Sequence, residues 1–336
     1  ISPWNLPLYL LTWKIAPAIA VGNTVICKPS EFTSMTAFML GNILNEAGLP
    51  SGVCNIIFGT GQNVGQVLVE HPKIPAISFT GGTQTAKSII RASAENFKKL
   101  SLELGGKNPN IIFNDADLEE CITTTVRSSF LNQGEICLCG SRIFVQEDIY
   151  EKFLTGFIEQ TKKLVIGNPL DKNTNIGALV SEAHLNKVLY YINLAKEEGG
   201  KIILGGNRPK MENNLKDGYF LEPTIITGLN SNCRVMQEEI FGPVVTVSSF
   251  KDEKEVIKEA NNSQYGLSAT IWTKDLKKAH SVAQALDTGT VWVNTWMMRD
   301  LRVPFGGVKA SGIGREGGNH SIDFYTEVKN ICIKFN

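Results

Sequence analysis

The 336-residue sequence lacks any C-x-x-C pair, and none of its seven cysteines (Cys27, Cys54, Cys121, Cys137, Cys139, Cys233, Cys332) stands beside a histidine cluster. That scatter excludes zinc-ligand spacing and a small disulfide framework, and it suits a reducing compartment, so the expected location is cytoplasmic with no bound metal. Net charge is missing as well, since 33 basic residues balance 33 acidic ones. No basic run is interleaved with aromatics, which removes the electrostatic footprint of a nucleic-acid partner and leaves a small molecule as the expected one. There is also no uninterrupted apolar run of membrane-spanning length. The opening stretch to Cys27 is apolar but is broken by Pro3, Asn5, Pro7, Lys14 and Pro17, which excludes a spanning helix or a signal peptide. The chain begins without Met and inside an apparent motif, so it reads as part of a longer chain with sequence upstream.

What is present is 43% apolar residues and 31 glycines, enough to bury a large core in more than one domain. Short apolar runs alternate with amphipathic stretches, the pattern of an α/β protein with largely parallel sheets. Strands are expected at 23–28, 53–58 and 76–79, with helices over 34–47, up to Glu70, and through Lys98. Two Gly-rich turns, Gly59-Thr-Gly61-Gln-Asn-Val-Gly65 and Thr80-Gly-Gly-Thr83, stand where a dinucleotide fold holds phosphates on backbone N–H groups. The first does not keep the usual dinucleotide spacing, and a plain tight turn remains open for it. Further strands are expected at 141–145, 201–204, 244–250, 269–272 and 290–294, and further helices at 149–164 and 182–198. Residues 326–335 alternate as a strand in need of a sheet.

The chemistry concentrates around one thiol. Cys137 lies in Phe130-Leu-Asn-Gln-Gly-Glu-Ile-Cys137, downstream of Leu102-Glu103-Leu-Gly-Gly-Lys107, so folding could bring a nucleophile and a general base together for acyl chemistry. Taken singly, each residue has a plainer reading. A buried Cys is usually a small hydrophobe, Glu103 could end a helix, Asn5 could serve a turn, and Trp4 and Phe241 could be core packing.

Seven motifs in one order carry a resemblance: Ser2-Pro-Trp-Asn5, Lys28-Pro-Ser-Glu31, Phe79-Thr-Gly-Gly-Thr83, Glu103-Leu-Gly-Gly-Lys107, Asn132-Gln-Gly-Glu-Ile-Cys137, Glu238-Glu-Ile-Phe-Gly-Pro243 and Pro304-Phe-Gly-Gly307. Together they resemble the NAD(P)-dependent aldehyde dehydrogenase superfamily over essentially the whole chain. The resemblance implies an α/β chain in three parts. A Rossmann-like cofactor domain, incomplete at its N-terminus, would occupy 1–105 and an α/β catalytic domain 106–310. Residues 311–336 would form a C-terminal segment whose strand serves a homodimer or homotetramer.

It also implies that Cys137 attacks the aldehyde, that Asn5 with the Cys137 backbone N–H forms the oxyanion hole, and that Glu103 activates water. Cofactor contacts carried over are Pro3, Trp4, Lys28, Ser30, Glu31, Gly59, Gly61, Gly65, Phe79, Thr80, Gly81, Gly82, Thr83, Leu104, Gly105, Glu239 and Phe241. A carboxylate at Glu31 would repel a 2′-phosphate, which favours NAD over NADP. Three positions depart from the common pattern: Gly82 replaces a Ser, Ala86 a Gly, and Glu135 a Gln.

Substrate contacts are expected at Asn294, Arg299 and Phe305. An Arg in the loop Trp296-Met-Met-Arg299-Asp300-Leu-Arg302 suits a substrate bearing its own carboxylate, unless Arg299 is taken up by Asp300. The loop, with Arg127-Ser-Ser-Phe and Glu135-Ile-Cys-Leu-Cys, is similar to the branch that oxidises 2-aminomuconate 6-semialdehyde and its 2-hydroxymuconate counterparts, which implies a place in tryptophan catabolism. The alternatives are a broad-specificity or retinal-type dehydrogenase, for which an apolar tunnel would be expected, and an inactive paralogue with a binding or structural role.

Overall fold

The structure is a computed structural model that describes residues 1–335. Contacts divide it into two units: one of residues 1–103, 299–306 and 313 onward, the other of Leu104–Met298 and Gly307–Gly312. The three-part division expected from sequence places 299–306 with the catalytic domain and separates 311–336, whereas the contacts group 299–306 and 313 onward with the first unit.

In the first unit the opening apolar stretch is a helix, Pro7–Ala20, which the sequence reading left undefined. Pro7 suits the first helical turn because its missing N–H would have had no intrahelical partner there. Leu11, Ile15 and Ala18 are buried on one face, and Leu11 and Ile15 cluster with Cys27 and Ala37. Strands Val25–Cys27 and Cys54–Ile56 pair in parallel, with the helix Ser34–Glu46 between them in sequence. The helix expected through Lys98 instead ends at Ser93. Phe97 is left-handed at φ 49°, and the chain turns there into the strand Lys99–Glu103. That strand pairs in parallel with Ala76–Thr80, setting Thr80 opposite Glu103.

The second unit is built on one sheet of seven strands, in the order Thr290–Val293, Ser268–Trp272, Pro109–Ile112, Arg142–Gln146, Val244–Phe250, Thr224–Thr227, Lys201–Leu204. Every neighbouring pair is parallel except the last. Apolar clusters cover both faces, as a parallel sheet requires. Ile112, Phe130, Phe153, Phe157 and Trp272 fill one, and Ile111, Phe113, Phe144, Phe250 and Ile271 the other. Alternate residues of one strand, Ile111 and Ile112, thereby reach opposite cores.

Because Pro109–Ile112, Arg142–Gln146 and Val244–Phe250 are adjacent and parallel, the segments that lead into them arrive at one end of the sheet. Those segments are 104–108, 131–141 and 238–243, three of the motifs singled out above. Residues 326–335, expected as a strand in need of a sheet, form no strand in the single chain. An extended segment becomes a strand only where another strand offers it a ladder.

Candidate active site

The loop that bears Cys137, the expected nucleophile, follows the helix Leu118–Phe130, whose N-terminus is capped by Asp117 accepting from the Glu120 N–H. Asn132, Gln133 and Gly134 then run consecutively left-handed, at φ 51°, 57° and 70°. A Cβ on Gly134 would overlap the Gly242 carbonyl, so both the backbone angle and the close approach require glycine there. The Asn108 side-chain amide donates to the carbonyls of Cys137 at 2.7 Å and Cys139 at 2.9 Å, pinning the loop on both sides of the thiol. The Trp296 indole donates to the Leu138 carbonyl at 3.0 Å, and the Arg127 guanidinium lies 5.8 Å from the Trp296 ring centre. Cys137 is half-buried. Cys139 is fully packed, and burial pushes its thiol up to about 12, so Cys139 serves packing.

The loop into Val244–Phe250 lies alongside. A cavity of about 20 Å³ is lined by Cys137, Cys139, Gly134, Gly106, Glu239, Phe241 and Gly242, among others. The Glu239 carboxylate accepts the Gly106 N–H at 3.0 Å, and a Cβ on Gly105 would overlap it. Burial raises the pKa of Glu239, opposed by that N–H and by the Lys187 and Lys107 ammonium groups. Lys107 is itself buried, and loss of hydration pushes it down to about 7.

Glu103, the expected base, lies in the first unit. Glu103 ends its strand 5% exposed, and neither carboxylate oxygen has a hydrogen-bond partner among the described residues. Burial raises its pKa well above the carboxylate range, and Glu316 adds to the rise against the pull of Lys14, Arg315 and Arg299. Lys14 and Glu316 form a buried ion pair at 2.6 Å. Gly306 leaves room for the base, since a Cβ there would come within 2.7 Å of Glu103 Oε1. Arg299 is not taken up by Asp300. It stacks over Phe305 at 4.1 Å and Trp13 at 5.1 Å, while Asp300 pairs with Arg302 at 2.5 Å. The structure thus gathers Glu103, Arg299, Phe305 and Trp13 within one unit, and Cys137, Glu239 and Phe241 within the other.

Residues 1–331 match the family model described as the aldehyde dehydrogenase family. The chain belongs to that family. It is 58% identical over 337 residues to the 2-aminomuconic semialdehyde dehydrogenase of Mus musculus, covering 100% of this chain and 69% of that protein. A 2-aminomuconic 6-semialdehyde dehydrogenase from Pseudomonas sp is 48% identical, with 99% of this chain and 68% of that one covered. Among solved structures, betaine aldehyde dehydrogenase from Staphylococcus aureus in complex with NAD+ matches at TM-score 0.94 and 45% identity, over 96% of this chain and 64% of that chain. Indole-3-acetaldehyde dehydrogenase from P. syringae, in complex with NAD+ and IAA, matches at TM-score 0.96 and 42% identity, over 99% of this chain and 67% of that chain. The chain therefore spans about two thirds of the length of these relatives. Aldehyde dehydrogenases are oxidoreductases, and both solved neighbours carry NAD+.

The residues of this family member fit a dinucleotide in its first unit. Gly82 caps the helix Thr83–Ser93 with no side chain, leaving the first N–H groups for an anion, and the space where its Cβ would stand is open. The hydroxyls of Thr80 and Thr83 are buried with no partner among the described residues. A Cβ on Gly59, at φ 152°, would overlap the Val64 side chain. Lys28 Nζ lies 3.9 Å from the exposed Glu31 carboxylate and donates to the Pro29 carbonyl at 2.9 Å. Ser30 Oγ accepts the Phe32 N–H at 3.4 Å, which orders the turn. Pro3, Trp4 and Asn5 are half-buried just before the helix Pro7–Ala20, and Leu104 is buried.

Three expected contacts do other work. Gly65 closes a helical run that begins at Gly61, and a Cβ on it would stand 3.8 Å from the Lys28 stem. Phe79 is buried in its strand, and Gly81 makes room for its ring. Asn294 lies at the far end of the sheet from the nucleophile loop, where its amide donates to the Thr273 carbonyl at 2.8 Å and accepts the Thr273 N–H at 3.0 Å. Sequence reasoning missed Asn108, Trp13, Lys14, His184 and Lys187. Asn108 follows directly on the Glu103-to-Lys107 motif, which was its one visible signal; the others are ordinary helical residues until the fold places them.

Proposed function

We propose that this chain carries the NAD-dependent oxidation of an aldehyde to a carboxylic acid, with 2-aminomuconate 6-semialdehyde as the substrate. The residues 1–103 provide cofactor contacts and the second unit provides the nucleophile. The Cys137 thiolate adds to the carbonyl carbon, forming a thiohemiacetal whose oxyanion takes a donor from the Asn5 amide. NAD held by the first unit would supply the acceptor for the hydride that leaves that carbon. Water then attacks the resulting thioester as Glu103 removes its proton, which expels the Cys137 thiolate and releases the acid. A Glu103 whose carboxylate has no hydrogen-bond partner among the described residues is suited to taking a proton from water.

The observation that carries the substrate assignment is Arg299, whose guanidinium lies over the Phe305 and Trp13 rings in the electrostatic neighbourhood of Glu103. A guanidinium held over aromatic rings can still offer its N–H groups to a bidentate carboxylate. The names of the mouse and Pseudomonas relatives support the same substrate. A cytoplasmic homodimer or homotetramer completes the reading, supported by the exposed apolar residues Val328, Ile331, Ile333 and Phe335 near the C-terminus.

The test is kcat/KM, followed by NADH absorbance, for 2-aminomuconate 6-semialdehyde against an uncharged aldehyde of similar size. A preference of about a hundredfold, or ~2.7 kcal/mol of transition-state binding, is expected and should collapse in Arg299→Ala. Equal rates for the two aldehydes would sink the substrate assignment and leave a broad-specificity dehydrogenase.

A further inference from the structure

His184 stands in the first turn of the helix Glu182–Glu197, where the Ser181 hydroxyl accepts its N–H at 3.2 Å. Its ring reaches two loops at once. Nε2 is 2.7 Å from the Phe241 carbonyl oxygen and 3.5 Å from Glu135 Oε1, and the His184 and Phe241 rings meet edge to face at 6.2 Å. A carbonyl can only accept, so the geometry puts the proton on Nε2. Phe241 needs such an anchor. Its φ of 63° is a conformation that costs a bulky side chain about 1–3 kcal/mol unless its surroundings hold it there.

Glu135 lies two residues before the nucleophile, 3% exposed, and its Oε1 also accepts the Val180 N–H at 3.4 Å. The neighbouring Gln133 accepts the Gly177 N–H at 3.1 Å. The stretch 177–184 therefore fastens the loop that bears Cys137, and its last residue also fastens the loop that bears Phe241. Both loops line the same small cavity.

We propose that His184 is a positioning residue: through the Phe241 carbonyl and the Glu135 carboxyl it sets the Phe241 loop against the Cys137 loop, so that the nicotinamide face is shaped before cofactor arrives. This rests on the reading of the chain as an NAD-dependent aldehyde dehydrogenase, in which Phe241 contacts the nicotinamide end. Neither catalysis nor direct contact with substrate is assigned to the imidazole.

The test compares His184→Leu, which removes the donor, with His184→Gln, whose side-chain amide can reach the same carbonyl. NAD affinity is read by calorimetry on the full chain without substrate, and KM values by NADH formation. His184→Leu is expected to raise the NAD Kd and the NAD KM about tenfold, worth ~1.4 kcal/mol, with the aldehyde KM within twofold of wild type. His184→Gln should stay within about threefold of wild type throughout. Should His184→Leu not fold, His184→Asn, too short to reach the Phe241 carbonyl, takes its place. An unchanged NAD Kd in the donorless variant, or a Gln variant as impaired as the Leu one, overturns the proposal. A wild-type chain that binds NAD but makes no NADH would count against the functional reading alone, because the order of Kd values still decides the role of His184.

Discussion

Glu103 and Glu135 show how burial sets chemistry one side chain at a time. For Glu103, burial and the Glu316 carboxylate favour the protonated form, so the fraction able to act as a base grows as pH rises above the ordinary carboxylate range. Turnover should climb with pH on that account. Glu103→Gln should abolish turnover after a first burst of NADH, with the acyl group left on Cys137 and detectable by intact mass; Cys137→Ser, the control, should give neither burst nor adduct. Glu103→Gln should also raise stability on the alkaline side. A folded-state pKa above the unfolded one contributes stability below the unfolded value, and that contribution is lost as pH rises through the folded value.

Glu135 follows the same sign, since burial pushes its carboxyl from 4.5 up to about 8. Between those values it should cost the fold about 1.4 kcal/mol per pH unit. Denaturant midpoints of Glu135→Gln and wild type should therefore diverge from pH 5 to pH 8, with the variant the more stable at pH 8. Parallel curves would show that Glu135 is ionised in the folded protein throughout.

At the scale of elements, the loops leading into three adjacent parallel strands do the work of the second unit, and they meet through glycine. Gly134 is the tightest point, with a left-handed backbone and the Gly242 carbonyl where a Cβ would stand. Gly134→Ala should lower stability by about 2 kcal/mol or more and slow alkylation of Cys137 by iodoacetamide, because the loop must withdraw from its neighbour. Unchanged alkylation together with unchanged stability would mean that the loop tolerates the displacement. The long regular elements were visible as periodic patterns, for instance Val244–Phe250 and Glu182–Glu197. Pro109–Ile112 was not visible, because its four residues are all buried and show no alternation. Pro7–Ala20 was hidden by prolines that read as breakers, although one of them sits where a helix tolerates it.

At the scale of the whole molecule, the segment after the helix Gly318–Tyr325 leaves apolar side chains in solvent, Val328 and the alternating Ile331, Ile333 and Phe335, all highly exposed. Removing residues 326–336 should lower the mass measured by light scattering to that of a smaller assembly. If the truncated and complete chains scatter alike, the segment has no part in assembly. Lys99 complicates a simple deletion, since it pairs with Glu327 at 3.0 Å and donates to the Thr326 carbonyl at 2.8 Å within the same chain. Substituting Ile331 and Ile333 by Ser would test the same point without touching that pair.

The sequence by itself determined the family and the α/β alternation, and it singled out Cys137, Glu103 and Arg299 as the expected nucleophile, base and substrate-loop Arg. These are local signals: a motif is contiguous, and a repeating period survives in a short window. Only the tertiary structure decided that Arg299 stacks on Trp13 and Phe305 and leaves Asp300 to Arg302, that Asn294 is spent on Thr273, and that Asn108 and His184 hold the loops of the second unit. Each of those outcomes is a competition among partners far apart in the chain. It is settled by which groups burial brings within hydrogen-bonding distance, a quantity that no short window of sequence contains.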